Sequence, residues 1–258
     1  MSKRPIRKDE RRHQDYLRRK GLKTAHVYES RLLRLRGTEV KRVLDICSHY
    51  DNPASWPGLI EAHLDESGYL PGWMKGLYCD AGLPMAQSTA RDLSKAKAAS
   101  DDALWLDELT AYAEERAGSN IVIVSGTLRE TLINILRDKM LEEPALGIEK
   151  LTKVIYSKYK DLAKWQVRRI AQTEAMIAMA DAADTAARTL DIGFTKQWCI
   201  SGLGNTRDTH ELMDGVEVDQ YEPFVLPGGN LQYPHDTSMG ASAAEIINCA
   251  CACIRRPK

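Results

Sequence analysis

The chain has 258 residues, 43% of them apolar and 28% charged, and its 36 Lys and Arg balance 36 Asp and Glu. That length allows one large domain or two modest ones with a buried core. No apolar run approaches the roughly 18 residues that a membrane span needs, no apolar segment follows the charged N-terminus as a secretory signal requires, and six cysteines are too sparse for a disulfide scaffold.

The zero net charge hides an asymmetry. Residues 1–42 carry 15 Lys and Arg against 5 Asp and Glu, so the remainder holds 21 against 31. The first segment reads as a disordered or loosely helical start that becomes amphipathic around Tyr28, Leu32, Leu33, Val40 and Val43. Its cations Arg4, Arg7, Lys8, Arg11, Arg12, Arg18, Arg19, Lys20 and Lys23 are dense enough to neutralise several phosphates without reading sequence. Without interleaved aromatics for base stacking, double-stranded DNA is the expected partner, with an acidic protein patch or a merely solvated helix as alternatives.

From Asp51 to Leu83 the density of Pro, Gly, Trp and Tyr predicts short helices joined by turns, and Ser88 to Ala117 reads as helix. The run NIVIVSG, Asn120 to Gly126, predicts a short strand of β-branched residues. A helix follows, opened by a Thr127–Glu130 capping box and closed at Pro144 and Gly147. Further helices are expected over 148–159 and, rich in alanine, over about 162–190, ended by Gly193. After Phe194 the composition turns to Trp, Gly, Pro and short apolar segments, hence strands and loops. The predicted class is α+β: a helical N-terminal region followed by a helix-plus-small-sheet domain. Its expected parts are a basic arm or helix at 1–50, a helical region at 51–117 and an α+β domain at 118–258.

Three blocks stand in order in the second half: RRIAQTE at 168–174, KQWCISGLGNTRDTHELMDG at 196–215, and EPFVLPGGNLQYPHD at 222–236, with NCAC at 248–251 after them. Taken together they resemble the phage Mu F-like minor head protein, or head morphogenesis, family of tailed bacteriophages, over about 121–251. Two positions depart from that pattern: Gly204 and Asn205 stand where the family usually has Asp, and Ala250 where it usually has Arg. The resemblance implies a virion protein, made in the host cytoplasm and placed in the phage head or head–tail connector. It implies portal or capsid protein as partner, a homo-oligomeric ring following portal symmetry, a part in head assembly or in packaging or ejection of DNA, and no enzyme activity.

The chemistry of the same residues leaves alternatives. His210, His235, Asp236, Cys249, Cys251 and Cys253 are competent zinc ligands, but Cys-x-Cys is tighter than the usual spacing of structural zinc pairs. No metal or other cofactor is therefore assigned, with zinc on His210, Cys249, Cys251 and Cys253 as the alternative. A terminal cysteine bonded to Cys47, Cys79 or Cys199 is a second alternative, and a Cys249–His210–Asn248 thiol site a third. The preferred reading is a hydrogen-bonded lock without a reaction. It consists of Trp198, Arg207, His210, Gly215, Phe224, Tyr233, Asp236, Asn248, Cys249 and Cys251, and it ties the last strand to the Trp198 strand. The competing function is a metal- or thiol-dependent hydrolase or nuclease built on His210 and the terminal cysteines.

Overall fold

The computed structural model describes residues 2–94, 101–143, 146–201 and 206–258, with the backbone alone for Ser2 and for 118–125. The class is α+β, with long helices preceding a small antiparallel sheet. In chain order the main elements are β1 (Ser2–Lys3), α1 (Lys8–Ser48), α2 (Trp56–His63), α3 (Leu70–Ser94), α4 (Asp102–Glu142), α5 (Ile148–Thr189) and β2 (Phe194–Cys199). The one-turn helix α6 (Asp208–Glu211), β3 (Val216–Asp219), β4 (Phe224–Leu226), β5 (Gly229–Leu231), the one-turn α7 (Ala243–Ile246) and β6 (Ala252–Pro257) complete it.

Two compact units are built from interleaved stretches. One comprises 1–27, 75–112 and 169–258; the other comprises 28–74 and 113–168. The expected boundary at 117/118 falls inside α4, and the one at 50/51 just beyond α1.

The second unit is helical. Val40, Val43 and Leu44 pack with Trp56, Ile60, Leu128, Leu132, Leu136, Leu151, Ile155 and Tyr159. These positions recur at three- and four-residue spacing, so one face of each helix enters a common core. Inside it Arg36 donates to both carboxylate oxygens of Glu66, at 2.7 and 3.2 Å, and the Tyr69 hydroxyl adds a third bond at 2.6 Å.

The first unit carries a four-stranded antiparallel sheet in the order β1-β3-β2-β6 and a separate β4-β5 hairpin. β2 lies between β3 and β6, and five of its six residues are buried, so both its faces are covered. That explains the lack of an apolar–polar alternation in FTKQWC. On α5, Ala171, Ala175, Ala178, Ala182 and Ala186 are buried, a small-residue stripe at helical spacing that lets neighbours approach closely. Leu93, Ala187 and Phe194 form a smaller apolar cluster in the same unit.

Several expected elements take another form. Residues 120–126 are helix, inside α4, and not a strand. Four β-branched residues in a helix sacrifice roughly 2 kcal/mol of intrinsic propensity in total, which a continuous 41-residue helix outweighs. Thr127 is consequently mid-helix and caps nothing; its carbonyl accepts the ordinary back-bond from Thr131 Oγ1 at 2.7 Å. The two helices expected over 148–190 are one, α5. The N-terminus forms strand β1 at Ser2–Lys3 and, after four residues outside regular structure, helix α1 from Lys8, not a loose arm. The stop at Pro144, the middle of the 88–117 helix and the departures at Gly204 and Asn205 lie outside the described residues.

Candidate functional site: a buried His–Cys cluster

The site lies in the first unit, where three chain segments meet. The residues leading into β6 supply Cys249 and Cys251, α6 supplies His210, and the loop after β5 supplies His235. All four side chains are buried, His210 at 1% and His235 at 2% exposure. The His210 Nδ1 lies 3.6 Å from Cys249 Sγ and 3.4 Å from Cys251 Sγ. The three ligand atoms fall within 4.8 Å of one another.

Local backbone shape makes this convergence feasible. Asn248 and His235 both adopt the left-handed region, with φ of 57° and 76°, unusual for residues other than glycine. The turn at Asn248 brings the Cys251 amide within 3.4 Å of Cys249 Sγ, so that both sulfurs of the Cys-x-Cys pair reach His210. Such backbone is held only where the surroundings over-determine it, and here two such residues flank one cluster.

Each imidazole is oriented from behind. His210 Nε2 lies 2.8 Å from Glu245 Oε2, and that buried carboxylate also accepts from Gly228 N at 3.2 Å and Thr209 Oγ1 at 3.3 Å. His235 Nε2 lies 3.1 Å from the Cys251 carbonyl oxygen. Its Nδ1 is buried with no nitrogen or oxygen partner, and the ring interacts with the Cys249 thiol. Trp198 packs edge-on against His210 and Phe224, each at 5.2 Å between centroids. Its indole N–H is buried without a hydrogen-bond partner.

The electrostatics separate Cys249 from the other thiols. Hydrogen bonding from Cys251 outweighs burial and, with His235 and His210 beside it, holds the Cys249 thiol well below its usual range. Cys251 is pushed up by the same pairing and by burial. Burial disfavours a charge on His235, yet Cys249 beside it raises that imidazole. Burial foremost lifts Cys47 and Cys199 to about 11, the behaviour of inert core thiols.

The remaining lock residues occupy distinct places. Arg207 donates to the Ile247 carbonyl, and with Asn248 it lines a cleft of about 550 Å³ whose floor includes His210, Cys249 and Cys251. Gly215 has φ of 78° and lies between the Arg4 and Trp198 backbones, to which it is hydrogen-bonded at 2.9 and 3.0 Å. Tyr233 donates to Asp181 at 3.1 Å, and Asp236 accepts from the Gln232 and Ser238 amides at 2.8 and 2.7 Å, bonds that shape the loop carrying His235. β6 pairs with β2 so that Cys253 is opposite Trp198. Cys253 stands apart from the cluster, its sulfur near the Ile254 carbonyl at 3.9 Å. All six cysteines are free. Asn248 is exposed, and the far nitrogen of His210 is held by Glu245, so the Cys-His-Asn arrangement does not form.

The nine cations divide. Arg18 is 7% exposed and donates to the Ser201 carbonyl at 2.9 Å; Arg11 pairs with Asp214 at 2.8 Å; Arg7 pairs with Glu10 at 2.9 Å; Arg4 lies 3.8 Å from Glu217. Lys8, Arg12, Arg19, Lys20 and Lys23 are exposed. Sequence reasoning leaves out Glu245, which belongs to no motif or marked spacing, and gives no role to Gly228 within the 222–236 block. Gly228 matters because a Cβ there would lie 2.5 Å from Glu245 Cγ.

Comparison with known proteins adds one finding. The NAD(+)–arginine ADP-ribosyltransferase EFV of Enterococcus faecalis is 32% identical over 109 residues, covering 37% of this chain and 22% of that protein. The chain thus matches about a fifth of that curated relative's length. No family model matches the chain, and no solved structure matches it. The expectation of no enzymatic activity falls on this relative, which is named for a transferase reaction.

Proposed function

We propose that the chain is a minor head protein of a tailed phage, held by portal or capsid protein beside packaged DNA and acting in head assembly or in DNA packaging or ejection. One observation carries this reading. The blocks at 196–215, 222–236 and 248–251 that resemble the head morphogenesis family contribute Trp198 and His210, Phe224, and Cys249 and Cys251 to one buried array. Thr173 of the 168–174 block accepts from the Asn248 amide at 3.3 Å. Motif residues that serve a packed junction fit a module whose task is to hold shape within an assembly. The exposed side chains of Lys8, Arg12, Arg19, Lys20 and Lys23 supply the phosphate-facing surface, Arg4, Arg11 and Arg18 fasten α1 and the strand before it within the unit, and Arg7 pairs locally with Glu10.

Purified particles carrying a tagged chain test the proposal: a few copies located at the portal vertex are expected, and particles lacking the chain would overturn it. On DNA, neutralising Arg12, Arg19, Lys20 and Lys23 together flattens the salt dependence of binding, by up to about 0.9 log units of slope for each phosphate that the variant no longer neutralises.

The match to the Enterococcus transferase favours a second reading. In it the chain carries out, or accompanies within a longer protein, ADP-ribosyl transfer from NAD+ to arginine. Incubation with labelled NAD+ and an arginine-rich acceptor decides it: label on the acceptor supports this reading, and none removes transfer by the chain alone.

A further inference from the structure

We infer that His210, His235, Cys249 and Cys251 form a tetrahedral zinc site, with both imidazoles binding through Nδ1. This stands independently of the phage and transferase readings.

The geometry has the dimensions of such a site. Zinc–sulfur and zinc–nitrogen bonds of about 2.3 and about 2.0–2.1 Å at the tetrahedral angle place N and S about 3.5 Å apart. The His210 Nδ1 lies 3.6 and 3.4 Å from the two sulfurs. Any four-coordinate centre there needs a donor beyond the three whose ligand atoms gather within 4.8 Å, a group that leaves out His235. The buried His235 ring interacts with Cys249, its Nδ1 has no nitrogen or oxygen partner, and a bound ion would draw it in as the fourth ligand.

The groups behind the ligands follow the same logic. A metal-bound imidazole normally donates its other N–H to a carboxylate or a backbone carbonyl, which fixes its tautomer. Here His210 Nε2 meets the Glu245 carboxylate and His235 Nε2 meets the Cys251 carbonyl. Around the sulfurs, the Cys251 amide points to Cys249 Sγ at 3.4 Å. Two thiolates neutralise a divalent cation, and a tetrahedral S2N2 donor set selects zinc over the oxygen-seeking metals. Because the ligands come from α6, the loop after β5 and the approach to β6, the ion would fasten the last strand to the middle of the unit.

The test uses the full chain. Purified without chelator from zinc-supplemented medium, it is expected to hold one zinc per chain. Cobalt-loaded protein should show thiolate-to-metal charge transfer together with the intense visible bands of tetrahedral cobalt. Cys249→Ser and His235→Gln lose that spectrum, whereas Cys253→Ser and Cys199→Ser keep it. Glu245→Gln keeps the tetrahedral bands but weakens affinity about 10- to 100-fold. Folded wild-type chain that gives no tetrahedral cobalt spectrum would overturn the site, whatever the variants do. Retention of the wild-type spectrum in His235→Gln would overturn the four-ligand assignment.

Discussion

Replacing Glu10 by Gln tests how α1 is fastened to β6. Glu10 is the third residue of α1, and its carboxylate reaches back to the Arg7 amide at 3.1 Å, half of a capping box. It also accepts two bonds from Arg256, both at 2.7 Å, while Arg256 donates a further bond to Gln197 at 2.7 Å. The Arg256 guanidinium foremost, with Arg7 helping against the opposing effect of burial, holds the Glu10 carboxyl down at about 2. At about 1.36 kcal/mol per pK unit the linkage has a ceiling of roughly 3 kcal/mol, which solvent screening at the rim reduces to about 1–2 kcal/mol. The folded pKa lies below the unfolded one, so this stabilisation is complete above the ordinary carboxyl range and is lost as pH falls through about 2. Urea unfolding at a series of pH values measures it. Glu10→Gln should be about 1–2 kcal/mol less stable than wild type at pH 7, and the difference should shrink by more than half by pH 3. A difference that stays constant over that range, or none at pH 7, would refute the electrostatic reasoning.

Other substitutions probe the two units separately. Arg36→Met removes the guanidinium from Glu66, which is 0% exposed, and should destabilise by about 3–5 kcal/mol in urea unfolding; adding Glu66→Leu should recover at least half of the loss. Gly215→Ala forces a Cβ to 2.9 Å from the Arg4 carbonyl oxygen at a φ of 78°, and a loss of about 1–3 kcal/mol is expected in the same assay. Gly228→Ala displaces the Glu245 carboxylate and should move the His210 imidazole resonances while leaving far-ultraviolet dichroism unchanged.

The α+β class shows in the primary structure because its signals are local. Helical spacing marks Leu128, Leu132, Ile135 and Leu136, and those residues enter the core of the helical unit. The change of composition at Phe194 coincides with the start of β2. Asp214-Gly215 announces a positive φ, and Gly215 has one. Where a choice depends on partners distant in sequence, local signals mislead. NIVIVSG has strand composition but lies within a long continuous helix. Arg18 resembles its neighbours in a basic run, yet Asp15 and the Ser201 carbonyl hold it in a buried position, and no charge count reveals a partner 183 residues away. The cluster is half visible in the sequence. His210, Cys249 and Cys251 stand out as residue types, whereas Glu245 and the left-handed backbone at His235 and Asn248 emerge only from packing. Cys253 continues the alternation of cysteines begun at Cys249 but belongs to β6, beyond the turn that gathers the other two sulfurs.

The convergence of His210, Cys249 and Cys251, with His235 as the inferred fourth ligand, is the feature on which the rest of the site depends. X-ray absorption at the zinc edge of the loaded full chain tests it most directly. Two sulfur neighbours at about 2.3 Å and two imidazole nitrogens at about 2.0–2.1 Å are predicted. A first shell of oxygen and nitrogen without sulfur, or with a single sulfur, would contradict it.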